Sequence, residues 1–287
     1  MKLKHFTYIV MLLGFSQCTE EISVDVPFEP QTIIFGTISQ ETAPVVIDIQ
    51  QSVPLNSNLT SNPINDAMVS LYTEDTSGIT NLVTDSFTVF EGVYTTTQAI
   101  TTLTGNKYWI EVLLTDGTTF ISERELLKPV VPITEIELFA EDEYIEILFT
   151  DPENDTNFYN FSIDLILNGN IVSRSRSEST DVIFNGSDEA LVDLDIFPFF
   201  VDDDVDFDYD EILVRLENIN SESYQFYLNQ TLQQEGNDNE GPGDPRQLFA
   251  TPPVNIEGNI MNISENKRAL GNFTVKSLDA VSQSVPN

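Results

Sequence analysis

Five aspartates stand at alternate positions, Asp202, Asp204, Asp206, Asp208 and Asp210, with Asp203 and Glu211 beside them. Carboxylates at this spacing suit a hard cation. On a strand they share one face, and in a loop they can wrap a calcium ion. The run opens like an EF-hand loop, but no glycine stands at its sixth place and Leu213 occupies the twelfth, where a bidentate glutamate belongs. It is not an EF-hand. The plainer reading is a solvated acidic loop whose mutual repulsion divalent cations would relieve. Calcium is the one cofactor left open. A second constellation is Tyr108-Trp109, beside the Gly105-Asn106 turn. These rings could stack against a sugar, although an aromatic on a sandwich strand more often packs. Arg174 and Arg176, two apart on one strand face, read more simply as surface charges paired with nearby acids than as substrate recognition.

Scarcity excludes more than these motifs suggest. The chain has one histidine and one cysteine, His5 and Cys18, both near the N-terminus. Histidine general-base chemistry, Ser-His-Asp and Cys-His hydrolysis and imidazole or thiolate zinc sites lack their residues once His5 is removed and Cys18 is blocked. Carboxylates remain, so a two-acid glycoside hydrolase is a possible alternative, though no pair of acids marks itself out. Lys+Arg number 12 against 47 Asp+Glu, a net charge of −35. Residues 1–17 hold two lysines and no acid, so their removal leaves 10 basic and 47 acidic groups, net −37. Such a polyanion repels phosphate backbones, which excludes nucleic acid as a partner. With 40% apolar and 10% aromatic residues the chain has the means to bury a core.

Those first 17 residues read as a signal peptide: Lys2 and Lys4 precede an apolar run from Phe6 to Phe15. The run falls short of the roughly 20 residues that span a bilayer. Phe15-Ser16-Gln17-Cys18 reads as a lipoprotein junction, with Gln17 departing from the small residue usual there. Acylation of Cys18 would anchor the protein stably through two or more chains. Residues 18–30 then form a lipidated, acidic, proline-punctuated tether.

Beyond the tether the elements are short strands. Thr32–Ile38, Val45–Gln51, Ala67–Tyr72, Phe87–Phe90 and Lys107–Leu114 alternate apolar and polar residues, and Asp116-Gly117 marks a two-residue hairpin. The stretch 55–63 reads as a polar loop. Pro129-Val130-Val131-Pro132 interrupts any sheet, and is the expected boundary between domains at 31–129 and 130–287. The second domain carries strands at Glu135–Phe139, Tyr144–Phe149, Phe158–Leu167 and Ile212–Leu216, a turn at Asn168-Gly169 and closing strands at Ile256–Ile260 and Leu270–Lys276. A helix near 222–235, capped by Asn220 or Ser221, is predicted to pack on the second sheet. Phe197-Pro198-Phe199-Phe200 reads as core, and 236–244 as a loop. The fold class expected is mainly β, two β-sandwich domains, the second with one packed α-helix.

Several runs together resemble one family: Cys18 with Glu20 and Glu21, Ala67-Met68-Val69-Ser70-Leu71, Gly92-Val93-Tyr94 and Gly105 to Val112. Asp151-Pro152 before Phe158-Tyr159, Ser223-Tyr224, Gly258-Asn259-Ile260 and Leu270-Gly271-Asn272-Phe273 complete the set. The whole is similar to the Bacteroidota lipoprotein family called domain of unknown function 4249. The first half is also similar to carboxypeptidase-regulatory or transthyretin-like sandwiches, and both sandwich domains are expected to be Ig-like or transthyretin-like. Glu20 and Glu21 resemble the acidic signal that exports such lipoproteins to the cell surface. The resemblance implies an outer-membrane lipoprotein facing the exterior, a non-catalytic accessory to a TonB-dependent transporter in ligand capture. It implies no catalytic residues. A structural or adhesive surface component is the remaining alternative.

Overall fold

The computed structural model describes residues 28–54, 57–59, 61–153, 155–197, 208–237 and 256–285. The protein is mainly β with one α-helix among the described residues. Alternation is what makes the strands. In β4 (Met68–Glu74) Met68 is 68% exposed while Val69, its neighbour, is 4% exposed. In β2 (Val46–Gln51) Ile47 and Ile49 are buried and Val46 faces out. Such a period of two buries one face of a sheet against a core.

A single curled sheet of 15 strands runs through the molecule. Its first arc follows the order β5 (Thr80–Thr84), β4, β8 (Lys107–Leu113), β9 (Thr119–Ser122) and β17 (Glu257–Asn262). It continues through β18 (Lys267–Ser284) to β1 (Thr32–Ser39), β2, β7 (Val93–Thr96) and β6 (Phe87–Phe90). This arc encloses a first core that includes Ile34, Ile47, Ile49, Leu71, Ile110 and Phe273. The expected polar loop at 55–63 ends in a short strand, β3 (Asn62–Pro63), paired with β2.

β18 is the common spine. Its first half lies parallel to β1 and antiparallel to β17, and its second half, from Ser277 on, pairs with β16 (Glu211–Ile219). From β16 the sheet continues to β13 (Phe158–Leu167) and β14 (Asn170–Thr180). A separate sheet of β11 (Ile133–Phe139), β12 (Tyr144–Phe149) and β15 (Ala190–Asp195) supplies the other wall of a second core. That core joins Ile145, Ile147 and Phe149 to Tyr159, Phe161 and Val214. Phe197 packs against it, while 198–200 lie outside the described residues.

Three expectations are corrected. Residues 257–276, assigned to the second unit, belong to the first: Ile260, Ala269, Phe273 and Val275 are in its core. The helix α1 (Ser221–Asn237) touches both units rather than the second sheet alone. Phe226 packs on Phe35 of β1, and Tyr224 on Phe158 of β13, with ring centroids 6.0 and 5.3 Å apart. The Asp116-Gly117 hairpin encloses three residues, since Leu114 N donates to Thr118 O at 2.9 Å and Gly117 takes φ 91°. By contrast Glu91-Gly92 and Asn168-Gly169 are two-residue turns with positive φ at both positions.

One glycine is dictated by close approach. Gly271 has φ 97°, and a Cβ there would stand 2.0 Å from the Ile34 carbonyl oxygen of β1. Only glycine lets the spine pass so near its parallel neighbour.

Candidate functional site

Glu125 lies in a two-residue strand, β10 (Glu125–Leu126), and its side chain is buried between β10, α1, β17 and β18. Its Oε1 accepts hydrogen bonds from Ser223 Oγ at 2.9 Å and Asn259 Nδ2 at 2.8 Å. Its Oε2 accepts from Val275 N at 3.0 Å and from Ser223 Oγ at 3.1 Å. The shell is itself braced. Asn259 Oδ1 accepts from Phe273 N at 2.9 Å, and Asn272 Nδ2 donates to Ser223 Oγ and to Thr274 Oγ1, both at 2.9 Å. Burial pushes the Glu125 carboxyl from its ordinary 4.5 up to about 7, although Val275, Ser223 and Asn259 pull the other way through their hydrogen bonds. The carboxylate is fully satisfied, and nothing about it is open to a ligand.

What this network fixes is the first turn of α1. Ser223 points inward to Glu125, so the other side of the helix faces outward. Glu222, Gln225 and Asn229 line it at near-helical spacing. Opposite them stand Glu257, Gly258 and Arg268, and between lies a cleft of about 420 Å³. Arg268 is held in place by hydrogen bonds to the Gly258 carbonyl and, at 2.9 Å, to Glu123 Oε1. The lining offers carboxylates, side-chain amides and one guanidinium, with no aromatic ring and no aliphatic side chain. Its chemistry is hydrogen bonding and charge, suited to a small ligand rich in hydroxyl or ammonium groups.

A second buried group steadies the far unit. Asp151 accepts from Tyr159 OH and, at 2.8 Å, from Gly186 N. Asp181 accepts from Asn157 N at 2.7 Å. These ties hold the loop before β13 against the 3₁₀ turn at Asp181–Ile183.

The residues singled out from sequence fare differently. Tyr108 and Trp109 are both buried, on opposite faces of β8. Tyr108 OH accepts from Leu103 N at 2.8 Å. Trp109 stacks on Tyr72 with centroids 5.5 Å apart, and the Arg124 guanidinium lies 4.3 Å from its ring centre. With both rings covered they make no stacking platform; alternation along the strand separates them. Asp202, Asp204 and Asp206 lie outside the described residues, as do Cys18, Glu20 and Glu21 and most of 236–244. Asp208 is exposed, and Asp210 Oδ2 accepts from Asn168 N at 3.0 Å, closing the β13–β14 hairpin. Among the described residues no three or more acids, histidines or cysteines converge as metal ligands. Arg174 does pair with an acid, Asp164 directly across the hairpin.

Glu125 itself carried no sequence signal, being one acid of 47. Its partners did: Ser223, Asn259 and Asn272 fall in three of the runs on which the family resemblance was built.

The model of the family described as "Domain of unknown function (DUF4249)" matches residues 19–279. No protein with a curated description matches the chain. Among solved structures, the chain is similar to the FN1–FN3 domains of chicken CNTN1 at 10% identity, with a TM-score of 0.23. The match covers 68% of this chain and 62% of that one, so less than two thirds of its length.

Proposed function

We propose, from the premise that this chain belongs to the DUF4249 family, that it is a lipid-anchored binding module. In this reading Cys18 is acylated, Glu20 and Glu21 direct the protein to the outer face of the outer membrane, and the body captures a small polar ligand. A TonB-dependent transporter is its working partner. The observation that carries the reading is the cleft between α1 and β17. Every side chain that lines it ends in a polar group, and one wall is fixed by a buried network that spends no group on chemistry. A preformed, rigid wall lowers the ordering cost of binding, which is what a capture module needs. The lack of histidine beyond His5 supports binding over turnover.

The test begins with metabolic labelling by a palmitate analogue, expected in the intact protein and lost in Cys18→Ala. The labelled protein is then purified from membranes in mild detergent, where a transporter should co-purify. Labelled protein that isolates without a transporter refutes the partnership, and an unlabelled one refutes the anchor. The two-acid alternative has its own observation, since Glu222 and Glu257 line one cleft. Glycan hydrolysis that disappears in Glu222→Gln would replace capture with catalysis.

A further inference from the structure

The chain carries only 12 basic side chains, and four of them gather on one face of the second unit. Along β13 the residues Tyr159, Phe161, Ile163 and Leu165 face the core, so Asn160, Ser162 and Asp164 face away from it. Strand register then sets their neighbours. Ser162 lies between Arg176 of β14 and Arg215 of β16, and Asp164 lies beside Arg174 of β14. Directly paired positions in a sheet stand about 5 Å apart at the base, so the three arginines spring from one small area, with Arg176 and Arg215 on either side of β13.

Asp164 organises them. Its carboxylate is buried and takes Arg174 through Nε and, at 2.7 Å, through Nη2, while Arg215 Nη1 donates at 2.6 Å. Burial alone would push this carboxyl up, but the hydrogen bonds from Arg174 and Arg215 outweigh it and hold it below the ordinary value. Two arginines are thus fixed by one buried anion. Arg176 is exposed and pairs with no carboxylate among the described residues. The acids of the next row are occupied: Glu217 by Lys276 and by Asn160 Nδ2 at 2.7 Å, and Glu178 by Thr231 Oγ1 at 3.1 Å. Tyr227 of α1 flanks this face and is tied to Thr274 at 3.0 Å.

Arg174, Arg176, Arg215 and Lys276 against the carboxylates of Asp164, Glu178 and Glu217 leave one positive charge on this face, which draws a phosphate group. Arginine's planar fork suits tetrahedral oxyanions, and the buried Asp164 sets the forks beforehand. The surrounding charge of −35 acts as a filter: an extended polyanion meets repulsion beyond the patch, while a compact dianion does not. We propose that Arg174, Arg176 and Arg215 form a binding site for a phosphate group, either a soluble phosphoester or the head of a phosphomonoester lipid.

The experiment titrates the intact chain with inorganic phosphate, followed by calorimetry and phosphorus NMR. Saturable binding is expected, weakened about tenfold or more by Arg176→Ala, in keeping with the loss of one charge-assisted contact. Arg176→Lys should restore only part of it, since a point charge replaces a fork. Lys267→Ala, on the distant β17–β18 turn, should bind like the parent. Arg176 makes no ion pair among the described residues, so its variants should keep the parent circular dichroism. Flotation with vesicles of phosphatidic acid in phosphatidylcholine, against phosphatidylcholine alone, separates the sources. Arg176-dependent recruitment identifies the lipid, and phosphate binding without recruitment identifies a soluble phosphoester. No saturable phosphate binding, or equal binding by Arg176→Ala, overturns the site.

Discussion

Removing the charge of Glu125 should change how stability responds to pH, and the direction follows from its surroundings. In the folded protein this carboxyl ionises at about 7 against an ordinary 4.5. The folded state therefore holds the proton more tightly than the unfolded chain does. The stability this group contributes is complete below 4.5, declines as pH rises, and is gone above about 7. At 1.36 kcal/mol per pH unit the decline amounts to about 3 kcal/mol. The protonated form needs an acceptor. Ser223 Oγ is the one partner that can turn to provide it, because Asn259 Nδ2 and Val275 N only donate. Glu125→Gln fixes the uncharged state but sets an amide NH₂ against one of those donors, a cost of about 1–3 kcal/mol. Urea midpoints at pH 5.0 and 8.0 for both proteins give the answer. The variant should be the less stable at pH 5.0, and the gap should close by about 2–3 kcal/mol at pH 8.0. Repulsion among the other acids acts on both proteins alike and cancels. A gap equal at the two pH values would refute the assignment of a raised, buried Glu125.

Tyr159→Phe removes the hydroxyl that Asp151 accepts from in the second core, and should lower stability by about 1.5–3 kcal/mol in urea unfolding, as for hydrogen bonds to charged groups. Gly271→Ala forces a Cβ into the Ile34 carbonyl and should abolish soluble expression, a loss above about 4 kcal/mol. Gly78→Ala is its control, with φ 83° but open space around it, and should cost about 1 kcal/mol by thermal melting. A fragment ending at residue 129 loses Ile260, Phe273 and Val275 from the first core, about 1.5–3 kcal/mol each. That approaches a whole domain's stability of about 5–15 kcal/mol, so the fragment should show no cooperative transition in calorimetry.

Where the pattern is local, the sequence was a good guide. Phe158–Leu167 is a strand at the predicted ends because its apolar and polar residues alternate and Asn168-Gly169 closes it. Short edge strands escaped: Thr80–Thr84 and Ala190–Asp195 each border a sheet and keep several residues exposed, which weakens any alternation. The Asp164–Arg174 pair was hidden for a different reason. The turn alone would set Asp164 opposite Ser173, but a bulge between Leu165 and Ile166 shifts the register by one and brings Arg174 across. Glu125 and Val275 are 150 positions apart, and no local period links them. The cleft brings α1 beside β17 and β18, and no motif links them.

The spine explains why these separate features belong together. β18 meets β1 and β17 on one stretch and β16 on the next, so a shift of the strand along its axis would disturb both cores at once. The proline segment expected as the domain boundary is fastened to it. Pro129 O accepts from Ser277 Oγ at 2.8 Å, exactly where β18 passes from one unit to the other, and from Asn218 Nδ2 of β16 at 3.3 Å. Ile133 N donates to Asp279 Oδ2 at 2.8 Å just beyond. Two prolines remove donors that a sheet would need, yet they leave carbonyls free to accept, and the buried side chains of the spine use one of them. The Glu125 network grips the same strand at Val275, two residues before that crossing. Through Ser223 it also holds the helix wall of the cleft. The cleft, the crossing and the two cores are therefore positioned by one strand. A ligand bound between α1 and β17 would rest on a frame whose rigidity comes from both units.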